Sequence, residues 1–566
     1  MAKKILIVGG VAGGASAAAR LRRLSEDDNI IMFEKGPHVS FSNCSLPYHL
    51  SGIVDVADKL VLMNPKKFMS QYRIDARVNN EVLSIDREGK KIRIKNTVTK
   101  EEYEETYDKL ILSPGARPIV PRINGIETAN IFTIRNVVDI DKLNSFIKDN
   151  QSKKVAVIGG GYIGVETAEN LIKGGYDVTL IEALPQILKT FDYDMVQILH
   201  KEMMDKGVKL ILNDKVTGFN DNQIILESGK TVEVGTVVMA IGVTPDITLA
   251  KEAGLEISEL GAIKVDQNYK TNDQDIYAVG DAIEVFNPLS HSMQKISLAG
   301  PAQIQARAVA DKINGIPVNN TGFIGSSAIK VFDYNCAATG LSEGLIEALK
   351  LNINYEVVNL VNNDKVGLMP SNSSIFFKLL FEVPTGKILG AQAIGKGDAV
   401  KRVDVIATAI SLGATVEQLK NINLCYAPPF GTAKDIVNFA GYIGSNLLRK
   451  DFKQVGVNRV RELLNEGATI IDVREKNEYD QGHIKGVPNI PFSEIRERIS
   501  EIPTDKPVYI HCRSGQRSYN VALLLKHLGF DNIYNITGSY LALSYFEYFN
   551  DKSLNRESIL TEYNFK

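Results

Sequence analysis

Short apolar runs, each followed by a glycine-rich turn and a helical segment, recur along this chain. The first such unit comprises an apolar run at residues 3–8, glycine-rich residues 9–14, a helical stretch to residue 24 and a second apolar run at 30–34. The same order returns at residues 154–182. Continuous apolar runs that alternate with helical patterns are typical of parallel strands buried on both faces. The pattern therefore predicts two strand–helix–strand units of a dinucleotide-binding fold.

Glycines and acids stand at fixed places in both units. Residues 159–164 read Gly-Gly-Gly-Tyr-Ile-Gly and complete a G-x-G-x-x-G pattern, whereas the first unit has Val11 in the middle place. These glycines permit a tight turn, close approach of the backbone to a pyrophosphate and close packing of helix on strand. Each second strand ends in an acid, Glu34 or Glu182, that is placed to hydrogen-bond a ribose hydroxyl. Ala183, with no arginine beside it, favours NADH over NADPH, although nearby lysines leave NADPH open.

The hydropathy pattern restarts after residue 451. A short helical segment at 457–466 is followed by strands at 469–472 and 508–511 and then by a further helix. This alternation predicts a small parallel α/β domain. Cys512 lies where the second of these strands runs into a helix, so backbone N–H groups can stabilise a thiolate or a persulfide anion there.

Composition narrows the class of protein. The 566 residues include 65 Lys plus Arg and 67 Asp plus Glu, a formal net charge of −2, which argues against a nucleic-acid or membrane-surface binder. This length predicts three or four domains. The chain opens on a strand pattern without a signal peptide and has no apolar run of 18 residues, so we expect a cytoplasmic protein.

Four scattered cysteines exclude two classes of chemistry. They are too few for a disulfide scaffold, and no C-x-x-C or Cys/His cluster has metal-site spacing, so no metal is expected. Any cysteine chemistry must therefore use single thiols. We expect Cys44 and Cys512 to be reactive and Cys336 and Cys425 to be packing residues.

Further motifs at strand ends carry a family resemblance. Residues 111–116 (Ile-Leu-Ser-Pro-Gly-Ala) and 238–245 (Val-Met-Ala-Ile-Gly-Val-Thr-Pro) close the two nucleotide units, and residues 271–281 end in Gly-Asp. In this arrangement the chain resembles the pyridine nucleotide-disulfide oxidoreductase family over roughly residues 1–445. The resemblance implies an α/β fold with two Rossmann-like domains, one for FAD and one for NAD, and an α+β dimerisation domain. The implied bounds are 1–118 and 247–320 for the FAD domain, 119–246 for the NAD(P) domain, 321–447 for the dimerisation domain and 455–566 for the C-terminal domain.

The resemblance also implies the cofactors, FAD and NADH or NADPH, and the residues that contact them. The residues expected around FAD are Gly9, Gly10, Ala12, Gly13, Gly14, Glu34, Lys35, Ser42, Asn43, Val82, Ala116, Asp281 and Ala299. The residues expected around NAD are Gly159, Gly161, Tyr162, Ile163, Gly164, Glu182 and Gly242.

The redox centre is predicted at Cys44. Family members that use a dithiol carry C-x4-C here, but the fifth residue after Cys44 is His49. A single thiol can be oxidised only to a mixed disulfide, a persulfide or a sulfenic acid. Residues 40–48, Ser-Phe-Ser-Asn-Cys-Ser-Leu-Pro-Tyr, resemble the signature of coenzyme A disulfide reductases and their persulfide reductase relatives.

Residues 425–430, Cys-Tyr-Ala-Pro-Pro-Phe, are similar to a second motif of these reductases. The resemblance implies that Tyr426 of one subunit of a homodimer assists the thiol of the other as a hydrogen-bond donor. It also implies a pocket for coenzyme A, either as substrate or as bound ligand. The residues expected to line that pocket are Ser16, Arg20, Arg23, Ser40, Asn43 and Lys434.

Some positions depart from the reductase pattern. Leu368 and Met369 stand where the family has a tyrosine pair, Gln303 replaces a histidine near the flavin, and Tyr72 replaces a lysine. These departures leave room for a persulfide or another low-molecular-weight disulfide as substrate. Ala12 occupies the place of a histidine used by NADH peroxidases and oxidases, which argues against that alternative.

The C-terminal domain resembles a single rhodanese domain. Residues 472–474 (Asp-Val-Arg), His483-Ile and the loop that begins at Cys512 match its signature. The resemblance implies a persulfide-carrying Cys512, and the residues expected around its loop are Asp472, Arg513, Gly515 and Arg517. A phosphatase would need C-x5-R, but that place holds Ser518.

Together these features predict an FAD-dependent NAD(P)H oxidoreductase that reduces coenzyme A disulfide, coenzyme A persulfide or polysulfide. Its catalytic residues are expected to be Cys44, Tyr426 and Cys512. The alternatives are a thiosulfate sulfurtransferase with an accessory flavin reductase, an NADH peroxidase or oxidase, and a flavin-bound redox sensor.

Overall fold

In a computed structural model that describes residues 2–149 and 153–565, the chain forms two compact units. The first unit comprises Met1–Pro185 and Ile211–Phe323, and the second comprises Gln186–Leu210 and Ile324–Lys566. Residues 186–210, which lie inside the predicted NAD(P) domain, therefore group with the C-terminal half of the chain. None of the described helices is both long and apolar enough to cross a membrane.

The strands are β1 Lys4–Val8, β2 Asn29–Glu34, β3 Asp75–Val78, β4 Asn80–Asp86, β5 Lys91–Asn96, β6 Glu102–Thr106, β7 Lys109–Leu112, β8 Ala116–Pro118, β9 Ile131–Phe132, β10 Lys154–Ile158, β11 Asp177–Ile181, β12 Lys209–Ile211, β13 Val216–Asn220, β14 Gln223–Leu226, β15 Thr231–Glu233, β16 Thr236–Met239, β17 Val243–Pro245, β18 Ile276–Ala278, β19 Val285–Asn287, β20 Ser292–Gln294, β21 Ser327–Val331, β22 Tyr334–Gly340, β23 Tyr355–Asn363, β24 Ser374–Glu382, β25 Ile388–Gly395, β26 Lys453–Val455, β27 Thr469–Asp472, β28 Val508–His511 and β29 Ile533–Ile536.

The α-helices are α1 Ala12–Leu24, α2 Pro65–Tyr72, α3 Val137–Asp149, α4 Tyr162–Lys173, α5 Tyr193–Asp205, α6 Thr248–Glu252, α7 Ala299–Ile313, α8 Glu343–Ala348, α9 Ala399–Ser411, α10 Val416–Leu419, α11 Ile436–Leu448, α12 Val460–Asn465, α13 Lys476–Asp480, α14 Gln516–His527 and α15 Ser539–Ser553. Short 3₁₀ helices cover Asn43–His49, Ala57–Leu60, Ile126–Thr128, Gly280–Ala282, Val457–Arg459 and Ile499–Glu501.

The first unit is built on two open sheets of the predicted kind. One has the order β18-β7-β1-β2-β3, with every neighbouring pair parallel, and the other includes the strands β11-β10-β16-β9 in that order. In each sheet the first strand of a strand–helix–strand unit, β1 or β10, is central. Its apolar residues, such as Ile5 and Leu6 in β1 and Val157 in β10, are completely buried. A ligand that binds beyond the carboxyl ends of such strands meets the loops that follow β1 and β10.

The second unit contains an antiparallel sheet, β21-β22-β25-β24-β23, and a parallel sheet, β26-β29-β28-β27. Helix α5 also belongs to this unit. Its first turn and the residue before it contact the antiparallel sheet, where Lys378 Nζ lies 3.1 Å from Asp192 Oδ2 and 2.8 Å from Asp194 Oδ1. Its outer face packs on α15, where the His200 and Phe549 ring centroids are 4.8 Å apart.

The fold class is as predicted from the sequence. An α/β chain with two nucleotide-binding sheets, a separate antiparallel sheet and a small C-terminal parallel sheet matches the expectation. The segment expected to be one helix at 457–466 is split, because a 3₁₀ turn over Val457–Arg459 precedes α12.

Candidate active sites

The loops after β1 and β10 have the same geometry. Gly9 and Gly159 adopt φ values of +97° and +110°, which a side chain would strain. A Cβ atom on Gly14 would lie 1.8 Å from the Gly9 carbonyl oxygen, and one on Gly164 would lie 1.9 Å from the Gly159 carbonyl oxygen. The last glycine of each loop is therefore required because helix and strand backbones touch at that point.

Both acids at the strand ends are fixed by backbone amides. Glu34 accepts hydrogen bonds from Gly10 N at 3.0 Å and Gly36 N at 2.9 Å. Glu182 accepts from Gly160 N at 2.6 Å and Leu184 N at 2.9 Å. Each carboxylate is thus held beside its glycine loop, where a ribose hydroxyl would reach it.

A cavity of about 490 Å³ opens beside the first loop, a volume in the range of small-molecule and cofactor sites. The predicted FAD residues that line it are Gly9, Gly10, Ala12, Gly13, Glu34, Lys35, Asn43, Val82, Ala116 and Asp281. Gly14, Ser42 and Ala299 are not part of its wall, and Ala302, one turn further along α7, contacts it instead. The structure therefore brings most of the predicted set together around one cavity.

Two polar groups of this cavity wall suit a polar ligand. The buried Asn43 Oδ1 has no hydrogen-bond partner within the described residues, and an orphaned buried amide oxygen is costly unless a bound group satisfies it. Burial raises the pKa of Asp281, and Arg135 opposes that rise. Arg135 also lines the cavity and was not found from the sequence, since no spacing rule links it to the glycine loop. A flavin dinucleotide, with its hydroxyls, phosphates and amides, fits such a wall.

The glycine loop after β10 has open space beside its backbone at Gly161. A Cβ atom on Gly161 would meet nothing within 4 Å, so the backbone faces free space where a pyrophosphate can approach. Ile163, Leu184 and Ile241 are 36%, 46% and 41% exposed, unusually high values for large apolar residues around one loop. Gly242, with φ of +132°, follows Ile241. The loop thus offers the backbone and apolar surface that a nicotinamide dinucleotide needs.

Cys44 lies in the 3₁₀ helix Asn43–His49, and its residue is exposed. Partial burial of the thiol, with the negative charges of Glu166 and Asp281, raises its pKa. Burial, with a smaller contribution from Glu169, raises the pKa of Glu166 to about 7. Glu166 was not singled out from the sequence, although its place on α4, two residues after the last glycine, was visible there. An accessible single thiol therefore lies within the electrostatic reach of a carboxyl group that titrates near neutral pH.

His49, which stands in the place of a second cysteine, is held by hydrogen bonds at both ring nitrogens and is not free to act as a general acid or base. Its Nδ1 lies 2.7 Å from the Val54 carbonyl oxygen, and its Nε2 lies 2.9 Å from Asn144 Nδ2. The ring therefore donates through Nδ1 and accepts through Nε2, and both nitrogens are occupied. It is also only 7% exposed.

The residues predicted to line the coenzyme A pocket differ in their exposure and in their partners. Arg20 is paired with Asp311, Nε to Oδ1 at 2.6 Å, whereas Arg23 on the same helix is exposed. Ser40 has φ of +49° and donates its backbone N–H to the Gly10 carbonyl. Ser16 is half-buried on α1. A phosphate near this helix would thus meet Arg23 directly and Arg20 only as a member of an ion pair.

In the second unit, Tyr426 is 49% exposed, beside Phe430 at 76%. Leu368, on a neighbouring loop, is 86% exposed. Arg402 holds the two loops together, because one of its nitrogens donates to the carbonyls of Asp364 at 2.9 Å and Phe430 at 3.2 Å. Leu368, Tyr426 and Phe430 thus form an exposed apolar cluster on two loops that Arg402 links.

Lys434 and the two cysteines predicted to be packing residues differ in their exposure. Lys434 is exposed. Cys336 is completely buried in β22, as expected, but the prediction that Cys425 is a packing residue is wrong within the chain, because its side chain is exposed. The proline-rich loop carries Cys425 to the surface together with Tyr426.

Cys512 follows β28 at the bottom of a six-residue loop. Its Sγ accepts a hydrogen bond from Gly515 N at 3.1 Å and lies 3.5 Å from Ser518 Oγ. Gly515, with φ of +103°, turns its amide toward the sulfur and precedes the first turn of α14. The residue is only 1% exposed, so the loop and its surroundings enclose the thiol.

Two of the predicted loop residues are engaged in ion pairs. Arg517 forms a two-pronged ion pair with Glu478, at 2.6 and 2.8 Å, which raises the pKa of Arg517. Asp472, the last residue of β27, is completely buried and binds Arg474, with Nη2 to Oδ2 at 2.6 Å. His511 and Arg474 lower the pKa of Asp472 against the effect of burial. Asp472 is therefore engaged in a buried ion pair with Arg474.

Known protein families match three parts of the chain. Residues 3–306 match the model of the pyridine nucleotide-disulphide oxidoreductase family, residues 326–435 match its dimerisation domain, and residues 457–544 match the rhodanese-like domain. A coenzyme A disulfide reductase of Staphylococcus aureus is 34% identical over 443 residues, which cover 78% of this chain and 99% of that protein.

Two solved structures resemble nearly the whole chain. Reduced Bacillus anthracis CoADR-RHD is 43% identical, with a TM-score of 0.94 over 96% of this chain and 98% of that one. An NAD-dependent persulfide reductase from A. fulgidus is 32% identical, with a TM-score of 0.90 over 95% of this chain and 99% of that one. The chain belongs to the pyridine nucleotide-disulphide oxidoreductase family, whose cofactors are FAD and NAD(P)H, and carries a C-terminal rhodanese domain.

Proposed function

We propose that this protein is a cytoplasmic, homodimeric flavoprotein that uses NADH to reduce the sulfur–sulfur bond of coenzyme A persulfide or coenzyme A disulfide through Cys44. The observation that carries the proposal is the accessible Cys44 thiol beside His49, whose ring nitrogens are both engaged. A thiol without a dithiol partner must form its disulfide with the substrate. The related coenzyme A disulfide and persulfide reductases support this substrate class.

FAD, when bound, supplies the two-electron chemistry that links NADH to the sulfur centre. Asn43 and Asp281 would hold it by polar contacts in the cavity, and Glu34 would receive a ribose hydroxyl. Glu182 would do the same for NADH, and its negative charge opposes the 2′-phosphate of NADPH. We therefore propose a preference for NADH.

Cleavage of the substrate's sulfur–sulfur bond needs only one thiolate, that of Cys44. Cys44 Sγ attacks the inner sulfur of R–S–SH, an S–S bond forms between Cys44 and R–S, and HS⁻ leaves. With a disulfide R–S–S–R the same attack releases R–S⁻. Two electrons then restore the Cys44 thiolate and release the second thiol. Tyr426 of the other subunit would donate its Oη proton to the leaving thiolate.

The nucleotide end of coenzyme A carries phosphates, which cations and hydroxyls recognise. We propose that Arg23, with Ser16 and Ser40, receives it on one subunit, and that Lys434 of the other subunit contributes charge. The exposed cluster of Leu368, Tyr426 and Phe430 supports a dimer that covers this surface.

Cys512 would carry sulfane sulfur to or from this reductase site. The Gly515 amide and the Ser518 hydroxyl around Sγ suit a thiolate or a persulfide anion. The flexible arm of coenzyme A is a carrier that could visit both cysteines.

The test is anaerobic NADH oxidation by the FAD-loaded full chain. The substrates are coenzyme A persulfide, coenzyme A disulfide, polysulfide, glutathione disulfide and hydrogen peroxide, each also tested with NADPH. We expect kcat/KM for the coenzyme A substrates to exceed that for glutathione disulfide and peroxide by at least about 100-fold. Fastest turnover with peroxide would identify a peroxidase, and the absence of turnover with every acceptor would leave a sulfurtransferase or a sensor.

A further inference from the structure

The entrance to the Cys512 loop carries a charge arrangement that the proposed function does not require. Arg517, on the first turn of α14, has both terminal nitrogens on the two carboxylate oxygens of Glu478, at 2.6 and 2.8 Å. The two side chains are 29% and 28% exposed, so the pair lies at the rim and not in the core. Arg517 is also close enough to Cys512 for a thiolate there to stabilise the guanidinium charge.

The remaining charges at this rim nearly cancel. Arg513, the residue after Cys512, has no side-chain partner anywhere in residues 2–149 and 153–565. Glu475 lies near Arg517 and holds Ser493, with Ser493 Oγ to Glu475 Oε2 at 2.7 Å. Two arginines, Arg513 and Arg517, thus stand against two glutamates, Glu475 and Glu478, so an anionic donor meets no net positive charge from these four residues.

Two kinds of sulfur donor, thiosulfate and a persulfide, bring different amounts of negative charge to this rim. With thiosulfate, Cys512 Sγ⁻ attacks the outer sulfur of S–SO₃²⁻, a new S–S bond forms and sulfite, SO₃²⁻, leaves, so three negative charges meet at the loop. With a persulfide, Sγ⁻ attacks the outer sulfur of R–S–SH, and R–S⁻ leaves while Cys512 holds –S–SH, so one negative charge is present. A dianion needs strong local positive potential, whereas a persulfide on an uncharged arm does not.

We propose that Glu478 sets the donor specificity of the Cys512 site by neutralising Arg517, so that the site accepts persulfides and disfavours thiosulfate. This inference rests on the proposed role of Cys512 as a sulfur carrier, and it does not involve Cys44, FAD or NADH. The substrate class is a thiol persulfide whose reactive end is carried on a neutral arm, as it is in coenzyme A.

The test measures thiocyanate formation with cyanide as acceptor and either thiosulfate or coenzyme A persulfide as donor. Glu478→Gln keeps the shape of the side chain but removes its charge. We expect kcat/KM for thiosulfate to rise about tenfold, mainly through KM, because one unit of opposing charge is removed from the entrance. With the persulfide, kcat/KM is expected to change less than about twofold. The matched control is Glu501→Gln, which breaks a similar ion pair with Arg498 elsewhere in the same domain.

A second pair of variants separates charge from structure. Arg517→Gln leaves Glu478 uncompensated, so thiosulfate turnover should fall below the wild-type value, whereas the double variant Glu478→Gln/Arg517→Gln restores the original net charge and should return it to near wild type. Lower activity in both single variants and the double variant with both donors would show a structural role and overturn the proposal. Unchanged thiosulfate kinetics in Glu478→Gln would also overturn it. If no variant, nor the wild type, transfers sulfur from either donor, the carrier role of Cys512 fails instead.

Discussion

At the scale of single residues, the reactive thiol is controlled by carboxylates more than by cations. Partial burial raises the pKa of Cys44, and the negative charges of Glu166 and Asp281 raise it further. Burial raises the pKa of Glu166 to about 7, so its charge changes near neutral pH. A thiol in these surroundings depends on its cofactor and substrate for activation and stays less reactive without them.

The first prediction concerns Glu166→Gln. Removing this carboxylate removes a charge that disfavours the thiolate, so the pKa of Cys44 should fall. The measurement is the pH dependence of alkylation of Cys44 by iodoacetamide, with the midpoint displaced to lower pH in the variant. Glu127→Gln, at an exposed site on the 3₁₀ helix Ile126–Thr128, is the control and should leave the midpoint in place. A midpoint that stays the same or moves to higher pH in Glu166→Gln contradicts this account.

How far a residue's role could be predicted depends on whether its partner is local. The glycines and terminal acids of both loops were predictable, because each acts within one strand–helix–strand unit. The partner of Arg20 is 291 residues away, and the Asn144 amide that fixes His49 is 95 residues away. Pattern and spacing contain no information on such pairs. The ion pair of Glu478 with Arg517 escaped prediction for the same reason.

At the scale of elements, the glycine loop after β10 contains two kinds of glycine. Gly164 is needed for packing, whereas Gly161 has φ of −75° and leaves open space in front of the backbone. One position therefore serves the fold and the other serves the ligand.

The second prediction separates these roles. Gly161→Ala should unfold at the same temperature as the wild type but raise KM for NADH about tenfold, a loss of about 1.4 kcal/mol in binding. Gly164→Ala forces the Gly159 carbonyl aside and should destabilise the first unit by several kcal/mol. Thermal unfolding and NADH kinetics of both variants provide the test. Equal stability of the two variants would contradict the packing role.

The position of α5 in the second unit leads to a third prediction. His200 is completely buried against Phe549, and burial lowers its pKa to about 3. Between pH 6.5 and 3 the unfolded chain binds a proton that the folded chain does not, so stability falls as the pH falls. From pH 6.5 to 5 this histidine should lower the free energy of unfolding by about 1.6 kcal/mol. In His200→Gln, the free energy of unfolding should therefore fall less between pH 6.5 and 5 than in the wild type, by the contribution of this histidine. The control is His527→Gln, on the exposed end of α14, which should show the same pH dependence as the wild type.

At the scale of the whole molecule, the proposed reductase site needs two copies of the chain. In the proposed function, Cys44 of one subunit works with Tyr426 of the other, and the Tyr426 side chain is exposed in the single chain. The family's dimerisation domain is present at residues 326–435.

The fourth prediction is complementation between inactive subunits. Cys44→Ser and Tyr426→Phe dimers, mixed and allowed to exchange subunits, should regain activity, because half of the dimers would then hold one intact site. The expected gain is about a quarter of wild-type turnover. The control mixes wild type with the double variant, whose mixed dimers contain no intact site. No gain over the separate variants, with exchange demonstrated by a tag, rules out a shared site.

The most direct test of the central claim is anaerobic turnover of coenzyme A persulfide with NADH by FAD-loaded Cys44→Ser, beside thiocyanate formation by the same preparation. We predict that NADH oxidation falls at least about 100-fold while sulfur transfer through Cys512 stays within about twofold of the wild type. NADH oxidation that continues at the wild-type rate without the Cys44 thiol would contradict the account.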